Sequence, residues 1–270
     1  MAEFAAKNRD YFNNEAAQYN GKFEKTIQAI MEEIQQRLDW IGVDWASDTS
    51  SSDGESSAAA SSAAKPSSEK KTVRLLDYAC GTGLVSRALA PYLTQSIGVD
   101  ISENMVQVYN TSAENQGIPT SEMRAIAGDL LDPANADPES LSSPELYDFD
   151  IAAVGLGFHH FEDPGFAAKQ LSKRLKSGGV LFIIDFLPHA GLGHGHGHGH
   201  GHGGKEAHGA VHTVKHLGFS EQDVKTMFEE AGCGEGFEYV VVGKGIVFRK
   251  QDGEREEMKR SVFMARGRKA

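Results

Sequence analysis

Three observations predict an α/β fold with a doubly wound, mostly parallel sheet. Val73-Arg-Leu-Leu-Asp77-Tyr-Ala-Cys80-Gly81-Thr-Gly83-Leu-Val-Ser-Arg-Ala-Leu89 begins as an apolar run, breaks at a glycine turn and restarts with the apolar spacing of a helix. Short apolar segments then recur between helical patterns, the spacing that brings parallel strands together through crossover helices. The chain closes on two long strand patterns, 237–248 and 256–265, around a turn at Asp252-Gly253, which reads as an antiparallel pair at the end of the sheet.

The 270 residues suffice for one large domain with an appendage. A net charge of −11 argues against sequence-independent binding to nucleic acid or to anionic lipid. The two cysteines, Cys80 and Cys233, make no disulfide framework, and no apolar run is long enough to span a membrane or to read as a signal segment. A cytoplasmic location is expected, with the nucleus also open.

Residues 1–45 read as a helical cap in two parts. The first part is polar with Phe4, Tyr11, Phe12 and Tyr19; the second carries Phe23, Ile27, Ile30, Met31, Ile34, Leu38 and Ile41 at helical spacing and has one face to bury. Tyr11, Phe12 and Tyr19 either cover a ligand or dock on the core. Residues 46–71, rich in Ser, Ala and acids, lack the apolar content to offset their ordering entropy and are expected to be a disordered linker.

The domain proper is expected at 72–270. After the opening strand a helix over 84–93 ends near Pro91, and a second strand, 95–100, stops at Asp100. Ser102 caps the next helix, with Glu103 favourably placed in its first turn. A third strand runs from Met123 to Asp129, a loop covers 132–146, and a fourth strand over 147–154 leads into Gly155-Leu-Gly-Phe-His159-His160. A helix over 164–175 is expected to stop at Gly178-Gly179, before a fifth strand from Val180 to Phe186. Residues 189–212 form a Gly/His-rich loop, and Ser220 caps a last helix closed by Gly232 and Gly234.

Open α/β sheets bind ligands beyond the carboxyl ends of their strands. Gly81 and Gly83, Asp100, Asp129 and the segment from Gly155 to His160 all fall at such ends. Asp100 follows the turn at about the interval where a carboxylate accepts from ribose hydroxyls, and Asp129 can accept from an exocyclic amine. The third glycine of a dinucleotide turn would fall at Ser86 and is absent. Asp77 at the start of the turn tolerates a cationic group better than a pyrophosphate. The expected ligand is therefore an adenosyl compound, positively charged at one end.

Leu-Asp77-x-Ala-Cys-Gly81-Thr-Gly83, Gly-Val-Asp100-Ile-Ser, Ala-Gly128-Asp129-Leu, His159-His160-Phe-Glu-Asp-Pro and Leu-Lys-Ser-Gly178-Gly179-Val resemble, in order, the motifs of the class I S-adenosylmethionine-dependent methyltransferases. The nearest likeness is to the ubiquinone/menaquinone-biosynthesis type, and it covers about residues 72–270. The resemblance implies a seven-stranded Rossmann-like sheet and S-adenosyl-L-methionine as methyl donor, with S-adenosyl-L-homocysteine as product. It places Asp77 and Gly155 at the donor's amino group, Gly81 and Gly83 behind its methionine and ribose, and Asp100 on the ribose. Ile101, Met105, Gly128, Asp129 and Leu130 would surround the adenine. Ala79 stands where the family's first loop glycine usually stands, a substitution small enough to retain binding.

The implied reaction moves a methyl group to an oxygen, carbon or sulfur of a small-molecule acceptor. His159 and His160 are candidate general bases, His160 the favoured one, with lining the site as their alternative role. His216 is a further residue on the acceptor side. The Gly-His alternation at 193–202 lacks the fixed neighbours of a metal site, so no functional metal is expected; its position fits a mobile cover over the acceptor. Three other readings stand beside this one: methylation of a protein side chain, a methyltransferase-fold subunit that acts by binding a protein partner through its N-terminal helix, and metal storage or sensing through the Gly-His tract.

Overall fold

The computed structural model describes residues 2–46, 71–132, 134–135, 138–189, 212–249 and 257–270. The expected linker, apart from its end residues, the Gly-His alternation and the Asp252-Gly253 turn lie outside the described residues. Seven strands form one sheet: β1 (Arg74–Tyr78), β2 (Gln95–Asp100), β3 (Met123–Ala127), β4 (Phe149–Gly155), β5 (Leu175–Phe186), β6 (Glu235–Arg249) and β7 (Glu257–Arg268). Their order is β3-β2-β1-β4-β5-β7-β6. The first five pair in parallel, while β7 runs antiparallel to both β5 and β6. The expected sheet and its terminal hairpin are both present.

The helices are α1 (Ala2–Gln35), α2 (Leu38–Ile41), α3 (Leu84–Leu89), α4 (Glu103–Asn115), α5 (Pro164–Arg174) and α6 (Glu221–Glu230). Successive strand residues face opposite sides of a sheet, and the core divides accordingly. Leu76, Ala152, Val154, Leu181 and Ile183 meet α5 and α6 through Ala167, Leu171, Val224 and Phe228. On the opposite face, Leu75, Ile151, Ala153, Phe182 and Ile184 meet Val85 and Leu89 of α3, Ile30 and Ile34 of α1, and Ile41. The second half of α1 is thus part of the core, held by the stripe its sequence announces. Its conformation departs from helical at Phe23, where φ is −113° and ψ 15°, near the border between the polar and apolar halves.

Several boundaries differ from expectation, three of them instructively. The helix from Leu84 ends at Leu89, and Ala90–Tyr92 continue as a single 3₁₀ turn around Pro91. Strand β3 ends at Ala127, so Gly128 and Asp129 lie just beyond it. Gly178-Gly179 is not a helix stop: α5 ends at Arg174 and both glycines sit inside β5. The pull comes from the chain's far end, since Gly178 N–H donates to Lys269 O and Lys269 N–H donates to Gly179 O, each at 2.9 Å.

Candidate functional site

Strand β1 lies between β2 and β4, so its carboxyl end marks where the chain's winding reverses. The turn after it is held open by backbone geometry. Ala79, Gly81 and Gly83 have φ of +51°, +52° and +91°. For Ala79 this left-handed conformation is strained, at a cost on the order of 1–3 kcal/mol that a glycine would avoid. An added Cβ at Gly83 would lie 2.9 Å from the Tyr109 ring, so a side chain there would collide with α4.

The turn is fastened by two buried carboxylates with different tasks. Asp77, 1% exposed, accepts from Ser86 N–H at 3.0 Å and Ser86 Oγ–H at 2.6 Å. It therefore anchors the start of α3 instead of lining the cavity, which corrects its expected position facing the ligand. The residue where a third glycine would fall is the one that holds it. Burial pushes the Asp77 carboxyl up to about 7, against the opposing pull of the Ser86 bonds. Asp100 accepts from Gly81 N–H and from Ser102 N–H, both at 2.8 Å, and does line the cavity. Burial raises it to about 6, partly offset by those N–H groups.

The cavity at these strand ends measures about 870 Å³, near the upper end of the roughly 300–1,000 Å³ usual for ligand pockets. Ala79, Gly81, Asp100, Ile101, Met105, Gly128, Asp129 and Gly155 line it as expected. Gly83 and Leu130 do not: Gly83 shapes the turn from behind, and Leu130, 2% exposed, belongs to the core while Leu131 faces the cavity. Asp129 Oδ1 accepts from Tyr78 Oη–H at 3.1 Å and from Leu131 N–H at 2.8 Å. The Tyr78 hydroxyl accepts in turn from Leu130 N–H at 3.2 Å.

The first half of α1 closes over these strand ends through three asparagines that the sequence reading passed over. Thr82 Oγ–H donates to Asn20 Oδ1 at 2.6 Å. Asn13 Oδ1 accepts from Ser102 Oγ–H at 2.7 Å and from Asn104 N–H at 3.0 Å, and its amide donates to Glu103. Asn8 donates to the His160 carbonyl at 3.2 Å. Tyr11, Phe12 and Tyr19 all line the cavity. Desolvation, reinforced by the charge of Asp100, raises the Tyr19 hydroxyl to about 12.

At the other end of the cavity the two histidines differ. His159 lies against Asp185, which is fully buried at the end of β5. The carboxylate accepts from His159 Nδ1–H at 2.8 Å, from His159 N–H at 3.0 Å and from Phe186 N–H at 2.7 Å. Because a carboxylate can only accept, His159 Nδ1 carries a proton and Nε2 is the ring nitrogen left for other contacts. His160 Nδ1–H donates instead to the Thr213 carbonyl at 2.6 Å. Burial, with the adjacent His159 ring, lowers His160 to about 3, so it stays neutral and is a feeble proton acceptor. The two rings lie 4.0 Å apart between centroids, tilted by 40°, and Phe12 packs edge-on against His160 at 5.2 Å. Of the two rings, only His159 has a carboxylate at its Nδ1.

Asp185 is the principal residue the sequence reading missed; its signal was a lone acid inside Val-Leu-Phe-Ile-Ile-Asp185-Phe, an otherwise apolar strand. His216 braces the site: its N–H donates to His159 O at 3.1 Å, and its Nε2 lies 3.1 Å from Phe161 O. Among the described residues, no three His, Cys, Asp or Glu side chains gather as a metal site. Cys80 and Cys233 are free and buried. No helix among the described residues is long and apolar enough to cross a membrane.

Comparison with known proteins shows what this chain is similar to. Residues 76–183 match the family described as a methyltransferase domain. A Schizosaccharomyces pombe protein named as an uncharacterized methyltransferase is 31% identical over 184 residues, covering 65% of this chain and 57% of the relative. The demethylmenaquinone methyltransferase of Staphylococcus carnosus is 30% identical over 120 residues, 43% of this chain and 44% of the relative. The chain thus spans between two fifths and three fifths of these relatives' own length. In fold, a chain of the Haloferax volcanii complex between the Trm112 methyltransferase activator and a methyltransferase superposes with a TM-score of 0.56 at 15% identity, over 96% of this chain and 98% of that one. Residues 76–183 are thus similar to a methyltransferase domain, and they lie in a seven-stranded, Rossmann-like sheet.

Proposed function

We propose that the protein is an S-adenosylmethionine-dependent methyltransferase that methylates a hydroxyl or another O, C or S centre of a small molecule. The observation that carries the reading is a single cavity with the Asp100 and Asp129 carboxylates near one end and a His159–Asp185 pair at the other. The donor set fits the cofactor. Asp100 stands at the end of β2 for the ribose hydroxyls, and Asp129 just past β3 for the adenine amine. Ile101, Met105 and Leu131 offer apolar surface to the base. Ala79, Gly81 and Gly155 offer close-approaching backbone to the methionine moiety, and an added Cβ at Gly155 would stand 2.7 Å from Val85 Cγ2.

When bound, S-adenosyl-L-methionine supplies a methyl group on a cationic sulfonium whose charge disappears on transfer. The chain's own work is to hold the acceptor at near-attack distance and to exclude water. His159 Nε2 takes the acceptor's proton, while Asp185 fixes the ring and balances the imidazolium that forms. Phe12, Tyr11 and Tyr19 of α1 cover the reacting centre.

A protein-binding role for α1 is the weaker reading. The Haloferax likeness concerns a methyltransferase in complex with an activator, but here Asn8, Asn13 and Asn20 commit the inner side of α1 to the chain's own cavity. A small acceptor fits the partly enclosed, aromatic lining better than a protein side chain presented in a groove. Two buried, unpaired cysteines agree with a cytoplasmic setting. The test is calorimetric titration with S-adenosyl-L-homocysteine, followed by transfer of labelled methyl from the donor into pools of small molecules. Binding and label transfer are expected; absence of binding would remove the reading.

A further inference from the structure

The acceptor end of the cavity contains a cation that the proposed methyl transfer leaves unused. Arg260, on β7, lines the cavity and is partly buried. Its guanidinium lies 5.4 Å from the centroid of the Phe186 ring. That same ring lies 5.0 Å from the ring of His159, so the base and the cation pack against one side chain. Arg260 also contacts the imidazole of His189. Among the described residues it has no carboxylate within ion-pair distance.

The other cations around the cavity are engaged. Lys22 pairs with Glu15 at 2.5 Å, Arg9 with Asp10 at 3.2 Å, and Lys215 approaches Glu162 at 4.0 Å while covering the Phe4 ring. In a chain of net charge −11, a partly desolvated arginine with no acid beside it among the described residues is an unusual arrangement. Burying a charge is costly unless a partner compensates it. Desolvation alone already lowers the Arg260 guanidinium from its ordinary value.

We infer that Arg260 binds a carboxylate on the methyl acceptor, so that the substrate is a small hydroxylated acid whose hydroxyl faces His159. This rests on the methyltransferase reading of the site. A planar guanidinium matches a carboxylate through two parallel N–H···O bonds. A monoanion is favoured over a phosphate monoester because one guanidinium balances one charge, and a phosphate at neutral pH brings about 1.5 to 2. The body between hydroxyl and carboxylate is apolar or aromatic, since Phe12, Phe161, Phe166 and Leu217 line the same cavity. Because His159 and Arg260 flank one phenylalanine, a span of about one aromatic ring is the scale the site suits.

The experiment uses the full chain with S-adenosyl-L-homocysteine bound, titrated with 3,4-dihydroxybenzoate, 4-hydroxybenzoate and 4-hydroxycinnamate and with the neutral methyl ester of each. At least one acid is expected to bind ten-fold or more tightly than its ester. Arg260→Gln should bring that ratio near one without weakening the ester or the homocysteine compound, and Arg260→Lys should restore part of the preference. Equal binding of acid and ester, failure of every acid to bind, or an acid preference that survives Arg260→Gln would overturn the inference. Failure of S-adenosyl-L-homocysteine itself to bind the unaltered chain would instead strike the underlying methyltransferase reading. Homocysteine-compound binding and thermal unfolding of the variants identify any that fail to fold, and in that case the Arg260→Lys ratio decides.

Discussion

On the β1–β3 side of the cavity, each carboxylate proposed to bind the donor accepts from main-chain N–H groups that the strand ends and turns bring beside it. Asp100 takes N–H groups from Gly81 and Ser102, and Asp129 takes that of Leu131. On the β4–β7 side, the chemistry comes from side chains brought together from His159, Asp185 and Arg260, three elements far apart in the chain. The first side is rigid recognition supplied by local backbone; the second is an assembly that depends on strand order. The contrast teaches that the two ends can be damaged separately: the former should respond in donor binding, the latter in turnover and acceptor choice.

The largest separation of the two should come from His159→Ala. Loss of a positioned base is expected to lower methyl transfer by about 10²–10⁴-fold while leaving S-adenosyl-L-homocysteine affinity within a few-fold. A single-turnover assay beside a calorimetric titration reads both quantities, and equal loss in both would show that the histidine is holding the site together.

Asp100→Ala should do the converse. Removing a charged acceptor of ligand hydrogen bonds is expected to cost about 1–3 kcal/mol of homocysteine-compound affinity. The unaltered site should also depend on pH with a definite sign. Burial holds the Asp100 carboxyl at about 6, so it accepts as a carboxylate above that pH and takes a proton below it. Affinity should therefore fall as pH drops through 6, and Asp100→Asn should flatten the dependence. An affinity profile that stays level through that range would place the ribose contact elsewhere.

The smallest effect expected is from His160→Asn. Its ring is neutral and tied to Thr213 O, so turnover should change by less than about ten-fold. A loss as large as that of His159→Ala would reverse the assignment of the two residues.

The same contrast explains what the sequence made legible. Alternation of strand and helix patterns was enough for the sheet and its closing hairpin, because each strand's apolar run is a local property. The cavity-lining positions of Gly81, Asp100 and Asp129 were legible too, since they lie at strand ends where the fold class itself directs a ligand. Asp77 was misplaced because its role depends on Ser86 nine residues later, which meets it only after the turn closes. The preference for His160 over His159 had no local signal behind it. Two adjacent histidines are equivalent in a string of letters, and Asp185 distinguishes them only after β5 is laid beside β4. Asn8, Asn13 and Asn20 passed as ordinary polar residues because nothing local marks which turn of α1 faces the strand ends. The Gly178-Gly179 pair looked like a helix stop, a local signal overridden by pairing with Lys269 at the far end of the chain.

The most direct test of the central account is a calorimetric titration of S-adenosyl-L-homocysteine into the unaltered chain, with Asp100→Ala and His159→Ala measured alongside. The account predicts binding at one site per chain, weakened in Asp100→Ala and retained in His159→Ala. No binding to the unaltered chain, or binding lost with His159 and indifferent to Asp100, would contradict it.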